Sequence, residues 1–167
     1  MILGFAHPAI VVHDLERAIE FYCQAFGFTV FSTSNEGWQD NSVIDAATGM
    51  EQSVAQGCML AGHNCYLELF YFKHPASIGA SPDKLGPAEL GIRHLCFYVD
   101  DVEAEYRRLL TLGAKPQGTV QKLRGITAVY MRDPEGNIVE LAEFPCPEED
   151  LRNLPGITKL QNGESYV

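Results

Sequence analysis

The chain has no CxxC pair, and its cysteine count is odd: Cys23, Cys58, Cys65, Cys96 and Cys146. This argues against a disulfide framework or a zinc knuckle and fits a reducing cytoplasm, with most of the thiols acting as small core residues. No stretch is long and apolar enough to span a bilayer. The opening residues, MILGFAHPAIVV, have no basic leader before the apolar run, so they do not read as a signal peptide. Positive charge is scarce: 12 Lys and Arg against 22 Asp and Glu give a net charge of −10. Nucleic acid and anionic membrane surfaces demand clustered Lys and Arg, so neither is expected as a partner, although a local cationic pocket stays open. What remains is ordinary. With 167 residues, 46% hydrophobic and 20% charged, the chain is expected to form one domain with a real core.

An internal repeat organises the sequence. HPAIVVHDLERAIEFYCQAFGF, residues 7–28, parallels HLCFYVDDVEAEYRRLLTLGA, residues 94–114. Each opens with a histidine on a strand. Each places an aspartate seven residues later, Asp14 and Asp101, at a helix N-cap position. Leu15, Ala18, Ile19, Tyr22, Ala25 and Phe26 follow helical spacing in the first copy. Val102, Tyr106, Leu109, Leu110 and Leu112 do so in the second. Gly27 and Gly113 end the two helices, predicted over 14–26 and 101–112.

Three strand-like runs follow each helix, at 28–34, 52–61 and 65–72 and then at 115–121, 124–132 and 137–144. The last two flank RDPEGN, with Pro and Gly where a tight hairpin wants them. Each half therefore reads as β-α-β-β-β. The first module runs over 5–72 and the second over 91–144. The proline-rich linker 73–90 separates them, and 145–167 forms a C-terminal tail. The final strand of each half carries an acid, Glu68 in YLELFYF and Glu140 in NIVELAEF. Strand alternation puts Glu68 on one face with Tyr66 and Phe70, and Glu140 on one with Ile138 and Ala142. A carboxylate in such company is paired, protonated or bound to a cation.

Taken singly, each signal is weak. A lone strand histidine is more often a hydrogen-bonded core or rim residue than a ligand, and a lone strand glutamate more often faces solvent. Two His and two Glu at matching places in two copies of one module shift the balance toward metal. The other candidates read as bland. His13 lies beside a helix cap, His63 in the turn AGHN and His74 in the linker. Glu103 and Glu143 are expected to face solvent, and Lys122 and Arg124 to lie at the surface near a strand start. Trp38 belongs to the longest inter-strand insertion, which either covers a site or is a plain surface excursion.

The stretches HPAIVVHDLERAIEFYCQAFGF, GIRHLCFYVDD and DPEGNIVELAEF resemble the vicinal oxygen chelate superfamily over about residues 5–144. That superfamily includes glyoxalase I, methylmalonyl-CoA epimerase, extradiol dioxygenases and the fosfomycin and bleomycin resistance proteins. The resemblance implies an α+β fold in which two βαβββ modules form an open, cup-shaped mixed sheet around one metal site. It implies His7, Glu68, His94 and Glu140 as ligands, with Glu68 and Glu140 as the catalytic carboxylates and often a homodimer. Two imidazoles and two carboxylates suit Ni, Co, Mn, Fe or Zn. A metal there polarises a carbonyl, and a carboxylate takes the proton from the adjacent carbon.

Departures refine the expectation. Glyoxalase I has an arginine four residues after the first ligand and an asparagine four after the second, where this chain has Val11 and Phe72. Glutathione is therefore not expected as a co-substrate. The epimerase usually has Gln where this chain has Glu68. Extradiol dioxygenases use only the positions of His7, His94 and Glu140, plus a tyrosine matched by Tyr130. Their acid–base histidine has no match here, since His63 is out of register. The expected activity is a metal-dependent isomerase or lyase moving a proton next to a carbonyl or thioester of a small substrate. An Fe(II) extradiol-type dioxygenase is the alternative, and a non-catalytic binding protein of the resistance kind is a further one. Phe70, Tyr98 and Tyr130 are the expected walls, for a substrate with an apolar part beside its chelating oxygens.

Overall fold

The computed structural model describes residues 4–32, 37–123 and 125–144. They form two compact units divided between Gly79 and Ala80. Each unit is an α+β module built on a five-stranded mixed sheet. The tail 145–167, with Cys146, lies outside the described residues, as does Arg124.

In the first unit, β1 (Ala9–Val11) leads into α1 (Leu15–Phe26), then β2 (Thr29–Ser32), β3 (Trp38–Gln39), α2 (Ser42–Thr48), β4 (Val54–Ala61) and β5 (Tyr66–His74). The sheet order is β1-β5-β4-β2, with β3 also paired to β4. Only β1–β5 is parallel, and the other pairs are antiparallel. The Asp14 carboxylate accepts the Arg17 amide at 3.0 Å and caps α1 as the sequence predicts. Gly27 closes the helix at φ 69, in the left-handed region that favours glycine. The buried stripe of α1 is Ala18, Phe21, Tyr22 and Ala25. Phe21, three residues after Ala18, belongs to it, whereas Leu15, Ile19 and Phe26 are only half-buried. This stripe shares the buried core with Cys58 and Leu60 of β4 and Leu67 and Leu69 of β5.

Helix α2 lies within the insertion the sequence leaves unassigned. It buries no residue, so it shows no apolar period. Its signals are local: the Asn41 side chain accepts the Val43 and Ile44 amides at 3.1 and 3.2 Å, and Gly49 ends it at φ 71.

In the second unit, β6 (His94–Tyr98) leads into α3 (Val102–Thr111), then β7 (Lys115–Pro116), β8 (Gln121–Leu123), β9 (Ile126–Arg132) and β10 (Ile138–Glu143). The order β6-β10-β9-β7, with β8 also on β9, repeats the first unit's plan. Again one pair, β6–β10, is parallel. The predicted single strand over 115–121 is two short pieces on the edge of β9, as β2 and β3 are on β4. Asp101 caps α3 by accepting the Ala104 amide at 2.9 Å. Val102 and Leu109 of α3 are fully buried, as are Met131, Val139 and Leu141 of the sheet. Leu110, expected on the buried stripe, is 37% exposed, because it lies off the Val102–Leu109 line.

The segment 73–90 is not all free linker. Strand β5 continues to His74. A short 3-10 turn at Pro82–Lys84 is held to the second unit by the buried Arg132. The Arg132 guanidinium donates to the carbonyls of Pro82 (2.8 Å), Gly136 (2.6 Å) and Leu85 (3.0 Å) and to Gln117 Oε1 (2.6 Å). In the RDPEGN hairpin, Asp133 accepts the Asn137 amide at 2.8 Å. Gly136 sits at φ +97, and a Cβ there would come within 2.5 Å of the Asp83 nitrogen. No helix among the described residues is long and apolar enough to cross a membrane.

Candidate metal centre

Parallel pairing of the first and last strand positions the acid and the imidazole alike in each unit. In the first, β1 runs beside β5 with Ala9 opposite Glu68, and the Glu68 amide donates to the Pro8 carbonyl at 3.0 Å. This brings His7, just ahead of β1, to Glu68, with Nε2 3.1 Å from Oε2. In the second, Ile138 lies opposite His94 and Glu140 opposite Cys96. His94 Nε2 is again 3.1 Å from Glu140 Oε2. Both pairs are partly buried. Their apolar strand neighbours turn the other way: Leu67 and Leu69 beside Glu68, and Val139 and Leu141 beside Glu140, are at most 1% exposed.

The donor sets fit a divalent ion. Two ligands at right angles, each about 2.0–2.2 Å from one ion, stand about 2.8–3.1 Å apart. Both His–Glu separations meet that spacing, which also suits a direct hydrogen bond. Among the described residues no group of three or more His, Cys, Asp or Glu is placed to hold a metal, so each unit presents a pair.

Around Glu140 the structure adds two neighbours. Tyr130, directly opposite on β9, stacks at a tilt on His94 with ring centroids 5.0 Å apart. Desolvation, and then the Glu140 charge, raise its hydroxyl above the ordinary tyrosine value. Cys96 is missed by sequence reasoning, which treats the thiols as core. The signal was available: it stands two residues after His94 and so shares its face. The residue borders solvent, yet partial desolvation, and then the Glu140 carboxylate, push its thiol up to about 12. Both Tyr130 and Cys96 stand opposite Glu140 in the sheet, one on each neighbouring strand. Tyr98, on the same face of β6, packs edge-on against Phe144 at 5.1 Å.

Glu68 is flanked along its strand by aromatic rings. On one side Tyr66 meets Phe31 at 5.2 Å, with Phe31 64% exposed. On the other, Phe70 packs with Phe72 and Trp38 at 5.8 and 5.7 Å. His13 and His63 are exposed, His63 in the turn between β4 and β5. Glu143, expected to face solvent, instead accepts the Val102 amide at 3.2 Å and satisfies the N-terminus of α3. Lys122 lines a small cavity with Thr127 and Glu143.

Residues 4–141 match the Glyoxalase/Bleomycin resistance protein/Dioxygenase superfamily. The chain belongs to that superfamily. Among solved structures, a glyoxalase family protein from Bacillus cereus matches with a TM-score of 0.76 and 25% identity over 86% of this chain and 95% of that one. A 2-epi-5-epi-valiolone epimerase from Actinomyces sp is 29% identical, over 84% of this chain and 79% of its own length. Biphenyl-2,3-diol 1,2-dioxygenase 3 from Rhodococcus globerulus is 35% identical over 95 residues, 53% of this chain and 45% of the dioxygenase. A fosfomycin resistance protein from Listeria monocytogenes, solved with Mn(II) and 1S,2S-dihydroxypropylphosphonic acid, shares the fold at 17% identity and a TM-score of 0.56, over 84% of this chain and 90% of that one. The superfamily thus contains epimerases, dioxygenases and resistance proteins.

Proposed function

We propose that this glyoxalase-superfamily protein is a divalent-metal-dependent isomerase or lyase. It moves a proton on the carbon next to a carbonyl or thioester of a small substrate. His7, Glu68, His94 and Glu140 supply the donors for one ion. The observation that carries the reading is the equivalence of the two pairs: Glu68 stands as close to His7 as Glu140 does to His94, 3.1 Å in each case. A site that needs only one carboxylate has no use for the second. The epimerase similarity, which spans most of both chains, points the same way.

A divalent ion bound by this set supplies Lewis acidity to a carbonyl oxygen. The remaining chemistry falls to the chain's own groups. A carboxylate, Glu68 or Glu140, takes the proton from the activated carbon and returns it. The neighbouring imidazole, His7 beside Glu68 and His94 beside Glu140, would share the ion with that carboxylate through Nε2 and so fix where the carboxylate stands. Around Glu140, Tyr130 and Cys96, directly opposite on the two neighbouring strands, confine the carboxylate further. The aromatic neighbours Phe70, Tyr98 and Tyr130 form the walls against which the substrate's apolar part rests and exclude water from the reacting carbon.

A second reading, an extradiol-type dioxygenase using His7, His94 and Glu140, is favoured by Tyr130 beside Glu140 and by the similarity to the biphenyl-diol enzyme. That similarity covers less than half of the dioxygenase. One substitution separates the two. Glu68→Gln is expected to weaken metal retention and abolish exchange of the substrate α-proton with solvent deuterium. If Glu68→Gln leaves oxygen uptake on catechols intact, and the parent incorporates no deuterium into any carbonyl substrate, the isomerase reading is wrong.

A further inference from the structure

Trp38 is the chain's single tryptophan, and it is held with more care than a surface excursion requires. Its indole Nε1–H donates to Ser53 Oγ at 2.7 Å. The Ser53 hydroxyl and amide both donate to the Asp45 carboxylate, the amide at 3.1 Å. Ser53 is fully buried, and Asp45 stands on α2, a helix that contributes nothing to the core. Two glycines make room for the arrangement. At Gly37, with φ +59, a Cβ would stand 1.9 Å from the Ala55 carbonyl oxygen, so only glycine lets the chain press against β4 immediately before Trp38. At Gly57, opposite Phe70 in the ladder, a Cβ would come within 2.8 Å of the Phe70 ring.

The result is a set of three rings whose geometry is set by the backbone and by hydrogen bonds. Trp38 meets Phe70 and Phe72 edge-on at 5.7 and 5.8 Å, with interplanar angles of 82° and 83°. All three rings are only partly buried. Phe70 and Phe72 share the strand face of Glu68, so the cluster begins two residues along the strand from the carboxylate. Aliphatic side chains would satisfy a core. Rings locked edge-to-face and left partly open beside a polar pair suit another flat ring, because aromatic pairs gain from geometry beyond their buried area.

We infer that Trp38 is a specificity-determining residue that selects substrates carrying a flat, unsaturated ring next to their chelating oxygens, with Asp45 and Ser53 as its positioning residues. The inference rests on the proposed function, whose site it extends. The substrate class is an aryl-substituted 2-hydroxy or 2-oxo carbonyl compound.

Three 2-hydroxy acids with one chelating head test it: mandelate with a phenyl ring, hexahydromandelate with a saturated ring, and lactate with none. Binding is read by Trp38 emission and by calorimetry, on Mn(II)-loaded and on metal-free full-length protein. Mandelate is expected to bind about tenfold more tightly than hexahydromandelate and to change Trp38 emission saturably, with lactate weakest. In calorimetry, Trp38→Leu is expected to erase the preference for mandelate over hexahydromandelate while leaving lactate unchanged, and Trp38→Phe to restore most of it. Asp45→Ala is expected to broaden Trp38 emission and to halve the preference or more, without altering metal content. Equal affinity of the parent for the two ring-bearing acids, or no emission change with either, overturns the inference whether or not metal is bound. Absence of metal after Mn(II) loading and desalting instead overturns the reading of the metal centre, since the ratio of the two acids is measured without metal as well.

Discussion

Replacing Arg132 with methionine keeps most of the side chain's length and its apolar stem but removes the guanidinium. Four hydrogen bonds go with it, at 2.6–3.0 Å, three of them to backbone carbonyls. Bonds to a charged group contribute about 1.5–3 kcal/mol each, so a simple sum would exceed the whole stability of many domains. The sum is too large for two reasons. Burying the guanidinium itself costs desolvation, and water reaches some of the released carbonyls once the 82–85 segment loosens. A loss of about 3–5 kcal/mol is expected, the upper range for a single substitution that breaks a buried hydrogen-bond network and leaves carbonyls unsatisfied. Urea denaturation of full-length protein measures it. Hydrogen exchange at the Leu85 amide, bonded to the Pro82 carbonyl at 3.1 Å, is expected to accelerate before global unfolding sets in. Arg132→Lys is expected to recover no more than half, since an ammonium cannot reproduce the planar fork that reaches four acceptors. Stability of Arg132→Met within about 1 kcal/mol of the parent, with unchanged Leu85 exchange, would refute the view that this arginine fastens the segment.

Further expectations concern the two ends of the chemistry. His94→Ala is expected to lose metal by more than the about 10–100-fold that outer-shell changes cost, whereas His63→Ala, in an exposed turn, keeps it; elemental analysis of protein purified without chelator decides, and equal metal in both variants would remove His94 from the site. The Asp45 carboxyl is held below its ordinary value of 3.8, mainly by the Ser53 hydroxyl. A depressed folded-state value means the contribution is present above the ordinary carboxylate range and is lost as pH falls through the depressed value. Trp38 emission is therefore expected to shift on acidification in the parent and not in Asp45→Ala, and identical acid titrations of the two proteins would show that the carboxylate does not hold the indole.

Much of the architecture was legible in the sequence because it is governed by local rules. Asp14 and Asp101 cap helices because a short acceptor at that position satisfies free amides wherever the helix later packs. Alternation alone separates Glu68 from Leu67 and Leu69, and Glu140 from Val139 and Leu141. The doubled His and Glu of the repeat likewise mark each pair, since strands of one module pair in one register. What stayed hidden depends on neighbours distant in the chain. Phe21 outranks Ile19 in the core because the sheet, and not the helix, decides which side of the stripe is deepest. Helix α2 buries nothing, so it has no period to read. Its worth lies in delivering Asp45 to Ser53 and thence to Trp38, a connection only the folded chain makes. Glu143 looks like a solvent-facing strand acid until β10 carries it to the free amide of Val102. Arg132 reads as a turn-flanking charge, yet four acceptors spread from Pro82 to Gly136 converge on it. A hydrogen bond needs both partners in place. The sequence by itself names the donors and acceptors and sets the local period, but only the tertiary structure decides which of them meet.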